Sequence, residues 1–171
     1  MGKSRYGIGF ALLIVTGGLS LAPDYSGLAA KSSQSTESFP AYTMPDYGVQ
    51  KVVYHVSNTG HWYNRSSEAR RLIGVLSNHV KAVAPDTPEL KVVFNSEGID
   101  LLRRIKADPE LSIRFEALRR NGVHILICMN SINSVGATPD MLPPVTSVNL
   151  VEAGVAEVAA LQRQGYSYIR F

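Results

Sequence analysis

Apolar positions in this chain follow two rhythms: short β-branched runs between polar loops, and longer stretches in which they recur every three or four residues. KVVYHV at 51–56 is of the first kind, bounded by the polar segment from Ser57 to Arg65, and it predicts a buried strand. Ala69, Leu72, Ile73, Leu76, Val80 and Val83 are of the second kind. They predict a helix with Ser66 as its N-cap and Pro85 as its stop. LKVVFN at 90–95 predicts a second strand, and a new helical pattern begins at Ile99. Asp108, Pro109 and Glu110 mark a further helix start; Leu111, Phe115 and Leu118 share its apolar face, and Asn121-Gly122 supplies its exit. The run from Val123 to Cys128 predicts a third strand. A loop-rich stretch with Pro139, Pro143 and Pro144 leads to a short fourth strand at 147–151, a helix at about 152–164 that exits at Gly165, and a closing strand within YSYIRF.

Five strands alternating with helices predict an α/β fold with a mainly parallel sheet covered on both faces. Right-handed crossovers then place every strand-to-helix loop at one end of the sheet. Ligands of open sheets bind beyond the carboxyl ends of the strands. Cys128 lies at such an end.

The first thirty residues depart from this rhythm. Lys3 and Arg5 give a basic start, Phe10 to Ala22 is uncharged and mostly apolar, and Gly27, Leu28 and Ala29 offer small residues for cleavage. This is the form of a secretory signal peptide over 1–30. The alternative is an uncleaved membrane anchor, although the apolar stretch is shorter than the roughly 20 residues that span a bilayer. Residues 31–48, with a serine-rich half followed by Phe39, Pro40, Tyr42, Pro45 and Tyr47, predict an extended N-terminal arm. The domain proper then occupies 49–171. The expected protein is periplasmic or secreted, with no stable membrane insertion after cleavage.

The whole chain has 171 residues, with 17 Lys and Arg against 14 Asp and Glu; loss of Lys3, Arg5 and Asp24 with the leader narrows that balance. Arg70 with Arg71, Arg103 with Arg104, and Arg119 with Arg120 are dispersed pairs that fit solvated helix faces. No nucleic-acid partner is expected.

Candidate chemistry centres on Cys128, the only cysteine. A lone thiol in an exported protein is buried and inert, reactive, or paired with another molecule. If a short helix begins near Asn130 or Ser131, its backbone amides favour a thiolate. Asn95, Asn130 and Ser131 are candidate ligand-binding residues. The loop from Asn95 to Gly98 neighbours the cysteine loop if strands two and three are adjacent. Glu97 is a candidate acid or base, or a residue that favours the following helix N-terminus. His61, in the loop after strand one, is a candidate for polarising a thiol or ligand, with Trp62 and Tyr63 beside it. His55 alternates within a strand and reads equally as a hydrogen-bonded core residue. No HxH or HExxH spacing occurs among the four histidines, so neither a metal nor a cofactor is expected.

KVVYHV, LKVVFNSEGI, GVHILICMNSI and GVAEVAALQRQGYSYI, in this order and spacing, resemble the DsrE/DsrF-like family of small sulfur-relay proteins, from about Val49 to Phe171. The resemblance implies a three-layer α/β/α sandwich around a five-stranded parallel sheet and assembly into oligomers. It also implies a sulfur-carrier or sulfurtransferase role with Cys128 as the persulfide site. The expected partners are copies of the chain and a sulfur donor or acceptor, either a protein or a small sulfane-sulfur compound. The alternative is a non-catalytic oligomeric binding module that keeps the fold and uses Cys128 structurally.

Overall fold

A computed structural model describes residues 40, 41, 43, 45–58 and 65–171. The leader at 1–30, most of the arm at 31–48, and His61, Trp62 and Tyr63 lie outside the described residues. The sheet is carried by the unit Thr43–Phe171.

Five strands, β1 (Lys51–Val56), β2 (Glu89–Phe94), β3 (His124–Cys128), β4 (Leu150–Val151) and β5 (Ser167–Arg170), pair in parallel in the order β4-β3-β2-β1-β5. Among the described residues five α-helices connect them: α1 (Arg65–Ala82), α2 (Gly98–Ala107), α3 (Pro109–Arg120), α4 (Met129–Ser134) and α5 (Gly154–Arg163). The parallel sheet covered on both faces is as the rhythm of the sequence predicts, and the three-layer sandwich is as the resemblance implies.

The strand alternation divides the core in two. Val52, Tyr54 and Val56 of β1, with Leu90, Val92 and Phe94 of β2 and Ile125 and Ile127 of β3, pack beneath α1, α2 and α3. Phe94 meets Phe115 edge-on at 6.3 Å between ring centres. The opposite face carries Val53, Val93 and Leu126, covered by Val158 and Leu161 of α5 with Tyr166. One ten-residue helix lies over that face, whereas three longer or equal helices cover the other.

Sequence boundaries hold where a local capping reason exists. Asp108 caps α3 by accepting the N–H of Glu110 at 3.1 Å and of Leu111 at 3.2 Å, and Pro109 fills the first position. Two boundaries differ from expectation. Ser66 lies inside α1 and is not its cap, because the helix already includes Arg65, which is drawn to Asp100 of α2 at 3.0 Å. The fourth strand is only Leu150–Val151: Asn149 Oδ1 accepts from the Thr146 N–H at 2.9 Å and its Nδ2 donates to the Ile125 carbonyl at 3.0 Å, which winds Ser147–Asn149 into a 3-10 turn.

Among the described residues no helix is long and apolar enough to cross a membrane.

Candidate functional site

Topology selects one end of two adjacent strands. The chain leaving β3 passes over the densely packed face, where Ile132, Ala137, Leu142 and Val145 join its core. The chain leaving β4 passes over the other face as α5. Neighbouring strands whose exits diverge in this way open a crevice at their carboxyl ends. Cys128, the last residue of β3, stands there opposite Val151.

Alternation assigns the Cys128 side chain to the α5 face, two positions after Leu126. It is 4 % exposed, and its thiol donates weakly to the Glu152 carbonyl, with sulfur and oxygen 3.7 Å apart. Burial pushes the thiol's pKa up. Hydrogen bonds to the sulfur from the Ser131 hydroxyl and from the backbone N–H groups of Gly154, Ser131 and Asn130 outweigh that and leave it below the usual thiol value. The Asn130 N–H is shared, since it also faces the Glu152 carbonyl at 3.3 Å.

Two local features allow the donors to converge. Gly154 opens α5, and a β-carbon there would stand 2.9 Å from the Asn95 β-carbon and 3.2 Å from that of Cys128. Only a glycine lets the first turn of α5 come this close to the sheet. Ser131 is held in turn: its Oγ accepts the Ser96 N–H at 2.7 Å. Ser96 reaches that position in a left-handed conformation with φ of 48°, an uncommon state for a residue other than glycine. The loop after β2 and the loop after β3 are therefore joined, as adjacency of the two strands requires.

Asn95 follows Phe94, whose register partner is Ile127, so it stands beside Cys128 on the same face. It is 7 % exposed. Its Oδ1 lies 3.0 Å from His55 Nε2, and His55 Nδ1 lies 3.1 Å from the Tyr168 hydroxyl. Tyr168 donating to Nδ1 and Nε2–H donating to Asn95 Oδ1 satisfies both contacts.

Of the residues that sequence reasoning singled out, Cys128, Asn95, Asn130 and Ser131 come together. Asn130 contributes its backbone while its side chain is exposed. Glu97 is exposed beside this cluster and makes no capping bond to α2. His61 lies outside the described residues. Sequence reasoning missed Gly154 and Tyr168 and gave His55 no functional part. A parity count would have placed His55, Asn95 and Cys128 on one sheet face, because residues two apart along a strand point the same way. Nothing local marks Gly154.

Among the described residues no three His, Cys, Asp or Glu side chains gather as a metal-binding group.

Fold and site together define a three-layer α/β protein with a hydrogen-bonded cysteine at the carboxyl end of its parallel sheet. The DsrE/DsrF-like family model matches residues 50–171, and the chain belongs to that family. A solved structure of a protein of unknown function from Methanobacterium thermoautotrophicum is similar at 28 % identity with a TM-score of 0.57, over 71 % of this chain and 99 % of that one. No curated protein matches the chain.

Proposed function

We propose that this protein is a sulfur carrier, with Cys128 holding the transferred atom as a persulfide. The observation that carries the reading is the place of Cys128 at the carboxyl end of β3, against the glycine turn that opens α5, in a chain of a family whose relay members use a cysteine after the third strand; the neighbouring Ser131, Gly154 and Asn130 groups lower the thiol's pKa there. These donors favour the thiolate, the form that attacks sulfane sulfur.

The step balances without an external oxidant. The Cys128 thiolate attacks the terminal sulfur of a donor R–S–SH, the donor's S–S bond breaks, and the new S–S bond forms at Cys128 Sγ. The electron pair of the broken bond leaves as R–S⁻, and the proton stays on the transferred sulfur. Return of the sulfur to an acceptor thiolate is the same exchange in reverse.

The N-terminal basic and apolar pattern supports export, so the donor and acceptor are those of a periplasmic or secreted setting, either small persulfides or another protein. Self-assembly into a homo-oligomer is part of the same proposal.

Incubation of reduced protein with glutathione persulfide is expected to add one sulfur atom by intact mass, and Cys128→Ser to abolish the gain. Wild-type protein whose mass stays unchanged with this donor and with inorganic polysulfide would sink the carrier reading.

The burial of Cys128, at 4 % exposure, favours a second reading, a non-catalytic binding module with a structural cysteine. That reading requires the native thiol to resist iodoacetamide and to react only when unfolded. Alkylation of native protein at a rate near that of the unfolded chain would exclude it.

A further inference from the structure

The four donors at Cys128 serve its own sulfur, and Asn95 is not among them. Asn95 is nonetheless 7 % exposed and stands beside the cysteine. Its oxygen is committed to His55 Nε2–H at 3.0 Å, while among the described residues its Nδ2 meets no acceptor. β2 runs between β1 and β3. An amide whose oxygen turns toward His55 on β1 therefore offers its nitrogen on the side of β3, where Cys128 stands. That nitrogen is not among the buried nitrogens without a partner, so it reaches solvent at the strand ends and is free to donate to a group arriving there.

Resting on the sulfur-carrier reading, we infer that Asn95 Nδ2 donates a hydrogen bond to the terminal sulfur of a Cys128 persulfide, and that His55 and Tyr168 are positioning residues that hold the amide for this contact. The terminal sulfur extends about 2.05 Å beyond Sγ, past the donors that surround the thiol. It carries the negative charge of the ionised persulfide, and a hydrogen bond to a charged acceptor is stronger than one between neutral groups. With Tyr168 donating to His55 Nδ1 at 3.1 Å, Nε2–H donates to the amide oxygen at 3.0 Å, and the row holds the amide with its nitrogen turned away from His55.

A second chain of the same composition shows what a closed arrangement looks like. Tyr54 bonds His79 Nδ1 at 2.8 Å and His79 Nε2 bonds Gln50 Oε1 at 2.8 Å, but the Gln50 Nε2 already donates to the Tyr47 carbonyl at 3.4 Å. The amide of Asn95 is the one left open, and it is the one beside the thiol.

The test uses glutathione persulfide as donor, intact mass for the loaded fraction and its decay in the presence of excess thiol, and iodoacetamide alkylation of the unloaded protein as the reference. Asn95→Ala is expected to shorten the lifetime of the loaded sulfur about tenfold relative to its alkylation rate. Asn95→Asp retains an acceptor for His55 and replaces the donor with a carboxylate oxygen, so it is expected to lose at least as much. Tyr168→Phe is expected to lose about twofold through freer rotation of His55. Equal lifetimes in wild type and Asn95→Asp would overturn the inference and leave the carrier reading standing. A parallel fall in lifetime and alkylation would overturn it too, as the mark of a merely structural role. Wild-type protein that never loads would remove the carrier reading itself.

Discussion

The two faces of the sheet each bear a tyrosine, a histidine and a side-chain amide in a hydrogen-bonded row, and the rows end differently. On the thick face, Tyr54 is 3 % exposed, and burial pushes its hydroxyl pKa up and the pKa of His79 down. Gln50 closes the row on a backbone carbonyl. On the thin face, the Tyr168 ring is exposed, His55 is half-buried, and the row stops at Asn95 beside Cys128. The same chemistry is thus used for structure where three helices cover it and left open where only α5 does. Among the described residues the buried side-chain nitrogens without a partner are Arg65 Nε and Arg103 Nε, on α1 and α2. Asn95 Nδ2 is not one of them: at the carboxyl end of the thin face the amide reaches solvent, so leaving it open costs little.

This comparison is broken most directly through packing. Phe94→Ala on the thick face is expected to cost about 3–5 kcal/mol in urea denaturation, and Val158→Ala on the thin face about 1–2 kcal/mol. Equal costs would mean that the faces do not differ as their burial indicates.

Gly154→Ala addresses the thin face alone. Its β-carbon would meet Asn95 and Cys128, so α5 must lift, at a cost of about 1–3 kcal/mol. Lifting withdraws one N–H from a sulfur whose pKa that donor lowers. The pH of half-maximal alkylation at Cys128 is therefore expected to rise in the variant. An unchanged alkylation profile would separate the thiol from α5.

The smallest effect concerns the closed row. Burial holds the pKa of His79 below its ordinary value, so the fold favours the neutral ring. Its contribution to stability is complete above the unfolded value of about 6.5 and is lost as pH falls through the folded value. The urea midpoint should decline as pH falls below about 6.5, and His79→Gln should flatten that decline. A slope retained in the variant would assign it to another group.

Much of this was legible in the residues. The β-branched runs located β1, β2 and β3, Asp108-Pro109 located the start of α3, and the change from ILIC to MNS placed Cys128 at a strand end. These follow from local rules: period-two alternation, fixed proline geometry, and capping by a short carboxylate. The fourth strand is shorter than its residues predict because Asn149 finds its partner at Ile125, in another strand. Ser131 and Asn95 could be suspected from their addresses. The row behind Asn95 could not, since His55 lies 40 positions from Asn95 and 113 from Tyr168.

By itself, the sequence determined an α/β chain of parallel strands with one thiol at a strand's carboxyl end, because hydrophobic periodicity is a local property of the backbone. Tertiary structure alone decided which face that thiol occupies, which amides surround it, and that Asn95 stands beside it with its oxygen turned to His55. Those depend on strand order and on the close approach of Gly154, and both arise from contacts between residues far apart along the chain.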